Sequence, residues 1–134
     1  MKIVFAEKIG FCMGVERSTR IAHESLKESP KPVQLLRPLV HNEKVTDQIK
    51  KEGGKFISGL NEIKKGTLII RAHGIDPETK SKIPKNITVK NTTCPLVRRA
   101  QRKAKKLAQE GYQIVIIGDK SHIEVKNIKG SVKN

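Results

Sequence analysis

Two cysteines and three histidines lie in short loops, each of which follows an apolar run of the sequence. The cysteines are Cys12, in a glycine-rich turn, and Cys94, directly before Pro95. The histidines are His41, His73 and His122. Thiolates bind soft metals, whereas imidazoles bind anions and transfer protons. This set of residue types therefore indicates a site for a metal and an anionic ligand.

Each cysteine also has a purely structural interpretation. Cys12 lies between Gly10 and Gly14, so it is either a small apolar residue in a tight turn or a ligand in a loop that a bulky inorganic group can approach. Cys94 is either an inert buried residue or a thiolate, because the start of a helix lowers the pKa of a thiol. The sequence shows no secretion signal, and the two cysteines lie 82 positions apart. We therefore expect reduced thiols and a cytoplasmic protein.

The histidines and Glu124 likewise allow two interpretations. His41 and His73 could be hydrogen-bonded structural residues, although His73 lies between small neighbours that leave its ring accessible. Glu124 could cap a helix, because Ser121-x-x-Glu124 matches a capping box. The fourth histidine, His23, falls inside a predicted helix and is interpreted as a surface or packing residue.

The elements that must position these residues are short strands alternating with amphipathic helices. Strands are predicted over 2–6, 34–36, 56–57, 67–71, 87–90 and 113–118, with another beginning at Ser131. Helices are predicted over 14–28, 43–52, 77–83 and 95–110, with Asn42 and Asp76 as N-caps. This alternation predicts an α/β fold: a mostly parallel sheet with flanking helices, in which ligands bind beyond the carboxyl ends of the strands.

Composition limits the classes of function. The chain has 134 residues, one tyrosine and no tryptophan, which disfavours an aromatic platform for single-stranded nucleic acid. Its net charge is +15, and the segment 80–107 holds ten basic residues and no acidic one. This excess indicates a solvated lysine-rich surface or an anion-binding field. No run is long enough to span a membrane, so no membrane partner is expected.

Five ordered motifs resemble a known family. They are Gly10-Phe11-Cys12-x-Gly14-Val15-x-Arg17, Val40-His41-Asn42, Ala72-His73-Gly74, Thr93-Cys94-Pro95-Leu96-Val97 and His122-x-Glu124-Val125. Together they resemble the N-terminal part of the LytB family, the 4-hydroxy-3-methylbut-2-enyl diphosphate reductases. The resemblance implies one α/β domain over residues 1–94 and the beginning of a second, apparently truncated, over 95–134.

The resemblance also implies a chemistry. Members of the family reduce an allylic diphosphate to isopentenyl and dimethylallyl diphosphate, the last step of the non-mevalonate isoprenoid pathway. A [4Fe–4S] cluster held by three cysteines serves this reaction, and two of those positions match Cys12 and Cys94. His41, His73 and His122 match residues that bind the diphosphate, and Glu124 matches the acid that supplies protons. An electron donor such as ferredoxin or flavodoxin is implied as a partner.

The sequence departs from the family pattern in ways that affect activity. It has no third cysteine, so two thiolates are too few for the family's cluster in a monomer, and the isolated chain is expected to be inactive. A companion chain supplying the missing half, or a homodimer that pools four thiolates, would complete the ligand set. Ile123 stands where the family usually has proline, and Asn91 stands where the family commonly has an acidic residue.

A hypothesis of a different class is a basic binding module for nucleic acid or an acidic partner. It depends on the basic residues of the last predicted helix, whose other side, formed by Leu96, Ala100, Ala104 and Leu107, is expected to face the core. The retained cysteines, histidines and Glu124 argue against it, because a pure binding module does not need them.

Overall fold

A computed structural model describes residues 1–7 and 9–132. Its centre is a four-stranded sheet with the order β2-β1-β3-β4, in which every neighbouring pair is parallel. The strands are β1 (Val33–Leu36), β2 (Lys55–Ile57), β3 (Thr67–Ile70) and β4 (Thr88–Asn91). The predicted α/β class with a parallel sheet and flanking helices is confirmed.

The described part of the chain forms five α-helices. They are α1 (Met13–Glu28), α2 (Glu43–Lys51), α3 (Pro77–Ser81), α4 (Pro95–Gln109) and α5 (Ile123–Val132). Asn42 and Asp76 cap α2 and α3, since their side chains accept hydrogen bonds from the backbone N–H groups of Val45 and Thr79. None of the helices in the described part of the chain is long and apolar enough to cross a membrane.

The core is aliphatic and lies on both faces of the sheet. On one face α1 and α2 pack against alternating residues of β1 and one residue of β3, in a cluster of Ala22, Leu26, Val33, Leu35, Leu39, Ile49 and Ile69. On the other face lies a smaller cluster of Ile57, Ile63, Leu68 and Ile87. Burial on both faces explains why β3 is apolar at nearly every position instead of alternating.

The strand order creates a switch point between β1 and β3. From β1 the chain crosses to β2 on one side, then returns past β1 to form β3 and β4 on the other. Loops leaving β1 and β3 therefore diverge at their carboxyl ends and leave a crevice between them, where parallel α/β sheets bind ligands. His41 follows β1 and His73 follows β3.

The strand predictions for two apolar segments are wrong. Residues 2–6 and 113–118 form no strand. Residues 2–6 are exposed, with Phe5 79% exposed, whereas in the second segment Ile114 and Ile116 are half-buried and Ile117 is 97% exposed. Both edges of the sheet, β2 and β4, are without a further neighbour within the described residues. Apolar composition suits a strand, but a strand forms only where a neighbour completes its hydrogen-bond ladder.

The predicted inner face of α4 also needs correction. Leu96 and Ala100 are exposed, and Ala104 and Leu107 are half-buried, so these four residues do not face the core. The neighbour of α4 is α5 rather than the sheet. The strand predicted from Ser131 is wrong as well, because Ser131 and Val132 complete α5; Lys133 and Asn134 lie outside the described residues.

Candidate functional site

The three histidines predicted for the site come together at the switch point. The ring centroids of His41 and His73 are 5.9 Å apart, and those of His73 and His122 are 6.4 Å apart. His73 is therefore the central member, with one imidazole on either side. The fourth histidine, His23, lies elsewhere and pairs with Glu52 across α1 and α2, which agrees with its interpretation as a surface residue.

His73 is held in place and keeps one ring nitrogen free. Its carbonyl oxygen accepts a hydrogen bond of 2.8 Å from Nδ2 of Asn127, a fully buried residue of α5. Its Nδ1 atom is buried and has no hydrogen-bond partner among the described residues. Burial lowers the pKa of His73, and the nearby charges of Arg71, His41 and His122 lower it further, against the opposing charge of Glu124. The ring is thus neutral at pH 7 and needs a polar partner.

Glu124 lies in the first turn of α5, close enough for its charge to act on His73. The capping box suggested for this segment does not form. Instead the Glu124 backbone N–H donates to Nδ1 of His122 at 3.4 Å, and the Ser121 backbone N–H donates to Asp119 at 2.7 Å. The Glu124 carboxylate is therefore not used as a helix cap and can face a ligand beside the histidines.

Both cysteines are free thiols and lie on either side of Gly14. A Cβ atom added at Gly14 would be 2.7 Å from Sγ of Cys94 and 3.9 Å from Sγ of Cys12. The two thiols are thus neighbours although 82 positions separate them in the chain. Glycine is favoured here because a Cβ atom would clash with the Cys94 side chain.

Hydrogen bonds tie the cysteine loops to the histidine loop. The Cys94 backbone N–H donates to the carbonyl oxygen of Ala72 at 2.8 Å, so Cys94 is joined to the residue before His73. Thr92 donates its hydroxyl proton to the carbonyl oxygen of Ile70 at 2.6 Å, so Ser18, 2.6 Å from the same hydroxyl, must be the donor to Thr92. These bonds fix α1, and with it the Cys12 loop, to the ends of β3 and β4.

Asn91 has a clear role in this arrangement. Its side-chain oxygen accepts hydrogen bonds from the backbone N–H of Thr93 at 3.0 Å and from the Thr93 hydroxyl at 2.6 Å. A carboxylate oxygen would accept the same two bonds, which explains why asparagine serves where acidic residues are common.

The cysteines fit part of a cluster site and not all of it. Both thiols lie near the same tightly packed glycine, so two potential thiolate ligands are close together. Over residues 1–7 and 9–132, however, no group of three or more Cys, His, Asp or Glu side chains is arranged to hold a metal. The two thiols alone therefore do not complete a metal site within the described residues.

Sequence reasoning did not identify the residues that support the site. Ser18, Thr92 and Asn127 are buried polar residues, and each connects two elements at the switch point. Asn127 is fully buried although the sequence of α5 has no pronounced apolar side, so helical spacing did not indicate it. The partner of Ser18 lies 74 positions away, and helical spacing gives no sign of it.

Comparison with known proteins identifies the family to which this chain belongs. The sequence model of the LytB protein family matches residues 3–134. The chain belongs to the LytB family. It corresponds to an N-terminal portion of LytB proteins, since the chain spans about half the length of the curated relatives it matches.

The LytB relatives agree in sequence and in fold. The 4-hydroxy-3-methylbut-2-enyl diphosphate reductase of Geobacter metallireducens is 37% identical over 134 residues, which cover 99% of this chain and 47% of that protein. The Aquifex aeolicus enzyme of the same name is 41% identical over 133 residues, covering 98% of this chain and 46% of that protein. A solved structure of this reductase, described as the terminal enzyme of the non-mevalonate pathway, superposes with a TM-score of 0.86 at 41% identity and covers 97% of this chain and 47% of that one.

Proposed function

We propose that this chain is the N-terminal part of an iron–sulfur reductase that converts 4-hydroxy-3-methylbut-2-enyl diphosphate to isopentenyl and dimethylallyl diphosphate. The observation that carries the proposal is the convergence of three imidazoles, with two thiols on adjoining loops, at the switch point of a LytB fold. The names of the relatives supply the substrate class.

The histidines suit a diphosphate. His41, His73 and His122 offer ring N–H donors around one crevice, and the buried Nδ1 atom of His73 has no competing partner in the described part of the chain. An anion placed there raises the pKa of His73, opposing the effect of burial. Binding of the diphosphate should therefore take up a proton, and the imidazolium that forms strengthens each hydrogen bond to a phosphate oxygen.

Glu124 is proposed as the residue that supplies protons. Loss of the allylic hydroxyl requires protonation of the leaving oxygen, and a positioned carboxylic acid is suited to this step. Glu124 lies beside the histidines and is not engaged in capping its helix. Its position lets it act on a substrate whose diphosphate is held by the imidazoles.

Cys12 and Cys94 are proposed as two of the three thiolate ligands of a [4Fe–4S] cluster. The cluster, when bound, supplies electrons for the reduction. Because the described residues complete no metal site, the third thiolate is proposed to come from outside them. The isolated chain is accordingly proposed to be inactive, and its division into domains at residue 94 stays a prediction. A ferredoxin or flavodoxin is proposed as the electron donor.

A titration with isopentenyl diphosphate tests the substrate part of the proposal. Histidine ring resonances of the full chain are followed by NMR as the diphosphate is added, at several values of pH. Signals of His41, His73 and His122 should shift, and the pKa of His73 should rise. His73→Ala should weaken binding by about tenfold, the effect of removing one charge-assisted hydrogen bond.

His23 provides the matched control, since it is the one histidine of the chain outside the cluster. Its signals should not respond, and His23→Ala should bind the diphosphate like the unmodified chain. Equal responses of all four histidines would indicate nonspecific attraction to a basic protein and would contradict the proposal.

Anaerobic reconstitution with iron and sulfide tests the cluster. EPR and visible absorption spectra should show no stable cluster in the chain alone. A stable cluster at about one per chain, with reductase turnover, would show that the expected inactivity is wrong. If a cluster forms between two copies instead, Cys12→Ser and Cys94→Ser should each abolish it.

A further inference from the structure

A second cavity opens at the same edge of the sheet, beside the histidines, and none of the three lines it. Its volume is about 330 Å³. Three cationic side chains line it, one following β1, one following β3 and one on α5: Arg37, Arg71 and Lys126. Hydroxyl groups of Ser58, Thr79 and Ser121 and the carboxylate of Asp76 complete the polar lining.

The two arginines are close to each other. Arg71 is half-buried, and burial lowers its pKa, with the charge of Arg37 as the second cause. The side chain stays cationic at neutral pH, so the half-buried Arg71 and the exposed Arg37 bring two like charges to one cavity. Such an arrangement is unfavourable in the free protein and becomes favourable when an anion lies between the guanidinium groups.

Arg37 has an unusual backbone conformation. Its φ angle is +64°, in the left-handed region where glycine is common and a residue as bulky as arginine is rare. Its backbone N–H donates to the carbonyl oxygen of Ile57 at 2.9 Å, which extends the β1–β2 ladder by one residue and holds the conformation. Strained residues of this kind concentrate at functional sites.

No internal counterion neutralises these arginines within residues 1–7 and 9–132. Neither Arg37 nor Arg71 takes part in an ion pair there. The carboxylate of Asp76 lines the same cavity but is engaged in capping α3. One of its oxygens accepts from the Thr79 backbone N–H at 2.9 Å, and the other accepts from the Thr79 hydroxyl at 2.6 Å.

We propose that the cavity between Arg37 and Arg71 is a second anion site, which binds a phosphate group. A planar guanidinium pairs two N–H groups with two oxygens of a tetrahedral phosphate, and the cavity offers two such groups from neighbouring strands. A volume at the low end of small-molecule pockets suits a phosphate or a small phosphate ester. The site is separate from the histidine cluster and does not depend on the reductase assignment.

Isothermal titration of the full chain at low ionic strength tests this site, with orthophosphate and methyl phosphate as probes. We expect saturable binding of one anion per chain in this cavity. Preference for orthophosphate would assign a free ion, and preference for methyl phosphate an ester; either supports the site. Arg71→Gln and Arg37→Gly should each weaken binding by about tenfold, because each removes charge-assisted hydrogen bonds.

Arg37→Gly is also expected to fold, so weaker binding in this variant would be due to the lost side chain. Glycine tolerates the left-handed conformation, so this variant should unfold at the same temperature as the unmodified chain or higher. Asp76→Asn should tighten binding, since it removes a negative charge from the lining and keeps the amide oxygen that caps α3. Lys120→Gln is the matched control: it removes an exposed charge outside the cavity lining and should change affinity less than about twofold.

Three results would overturn the proposal. The first is an absence of saturable binding by the unmodified chain. The second is unchanged affinity in Arg37→Gly and Asp76→Asn, two variants expected to fold. The third is loss of phosphate binding in His73→Ala together with full retention in the arginine variants, which would place the anion among the histidines.

Discussion

β3 and the segment 113–118 have similar apolar sequences and different environments. All four residues of β3 are buried between β1 and β4, whereas Ile117 is almost fully exposed and its segment pairs with no strand of the described chain. The difference lies in the neighbours that each segment has. An isoleucine of β3 is therefore expected to contribute much more to the stability of the fold than Ile117.

The test of this comparison with the largest expected effect on stability replaces one isoleucine from each region. Ile69→Ala should lower the free energy of unfolding by about 2–5 kcal/mol, because it leaves a cavity in the larger core cluster. Ile117→Ala is the matched control and should change it by less than about 0.5 kcal/mol. Urea denaturation of both variants measures the two values. Equal losses would show that residues 113–118 are buried in solution and would break the comparison.

Gly14 lies where the buried region meets the exposed Cys12 loop, and the Gly14→Ala substitution tests the packing there. Alanine normally favours a helix over glycine by about 1 kcal/mol. At this position its Cβ would be 2.7 Å from Sγ and 3.1 Å from Cβ of Cys94, so we expect a net destabilisation of about 1–3 kcal/mol.

A double-mutant cycle with Cys94→Ala identifies the cause of that loss. Removing Sγ relieves the shorter contact and leaves the Cβ contact, so Gly14→Ala should cost less in the Cys94→Ala background. Thermal unfolding of the four proteins gives the coupling. The same cost in both backgrounds would mean that the cysteine does not lie beside Gly14.

Local signals in the sequence predicted the buried region well. Helix α1 begins within one residue of its predicted start at Gly14 and ends at its predicted end, and the Asn42 and Asp76 caps form as expected. These features depend on hydrogen bonds and spacing within a few residues. The histidine cluster was also predictable, because the carboxyl ends of parallel strands share one edge of the sheet.

The remaining features depend on contacts between distant parts of the chain. Whether residues 2–6 and 113–118 form strands depends on a neighbour that their own composition does not specify. The proximity of Cys12 and Cys94 depends on how α1 is placed against the end of β4, where the Ser18–Thr92 hydrogen bond joins the two. The sequence around Arg37 does not indicate its left-handed backbone conformation, because a basic residue directly after a strand is common.

The pH dependence of stability tests the burial of His73. Because burial lowers its pKa in the folded chain, the unfolded chain binds more protons as the pH falls below about 6.5. Stability should therefore be complete above that pH and decline as the pH approaches 5. Chemical denaturation across this range should show the decline, and His73→Asn should reduce it. An unchanged pH profile in the variant would assign the effect to another group.

The smallest expected effect on stability concerns the His23–Glu52 pair, on the surface between the two helices that cover β1. Nδ1 of His23 is 2.6 Å from Oε2 of Glu52, and this hydrogen bond is the main reason that the pKa of Glu52 is lowered. Glu52→Gln should reduce the free energy of unfolding by less than about 1 kcal/mol at pH 6, because the pair is partly exposed.

A lowered carboxyl pKa stabilises the folded state above the unfolded value and stops doing so as the pH falls through the folded one. The difference between Glu52→Gln and the unmodified chain should therefore shrink between pH 6 and pH 3. Glu110→Gln, which affects a more exposed pair with Lys106 at 3.7 Å on α4, is the control and should have a still smaller effect at every pH. A larger effect at Glu110 than at Glu52 would mean that α4, and not the α1–α2 layer over β1, is the better-ordered surface.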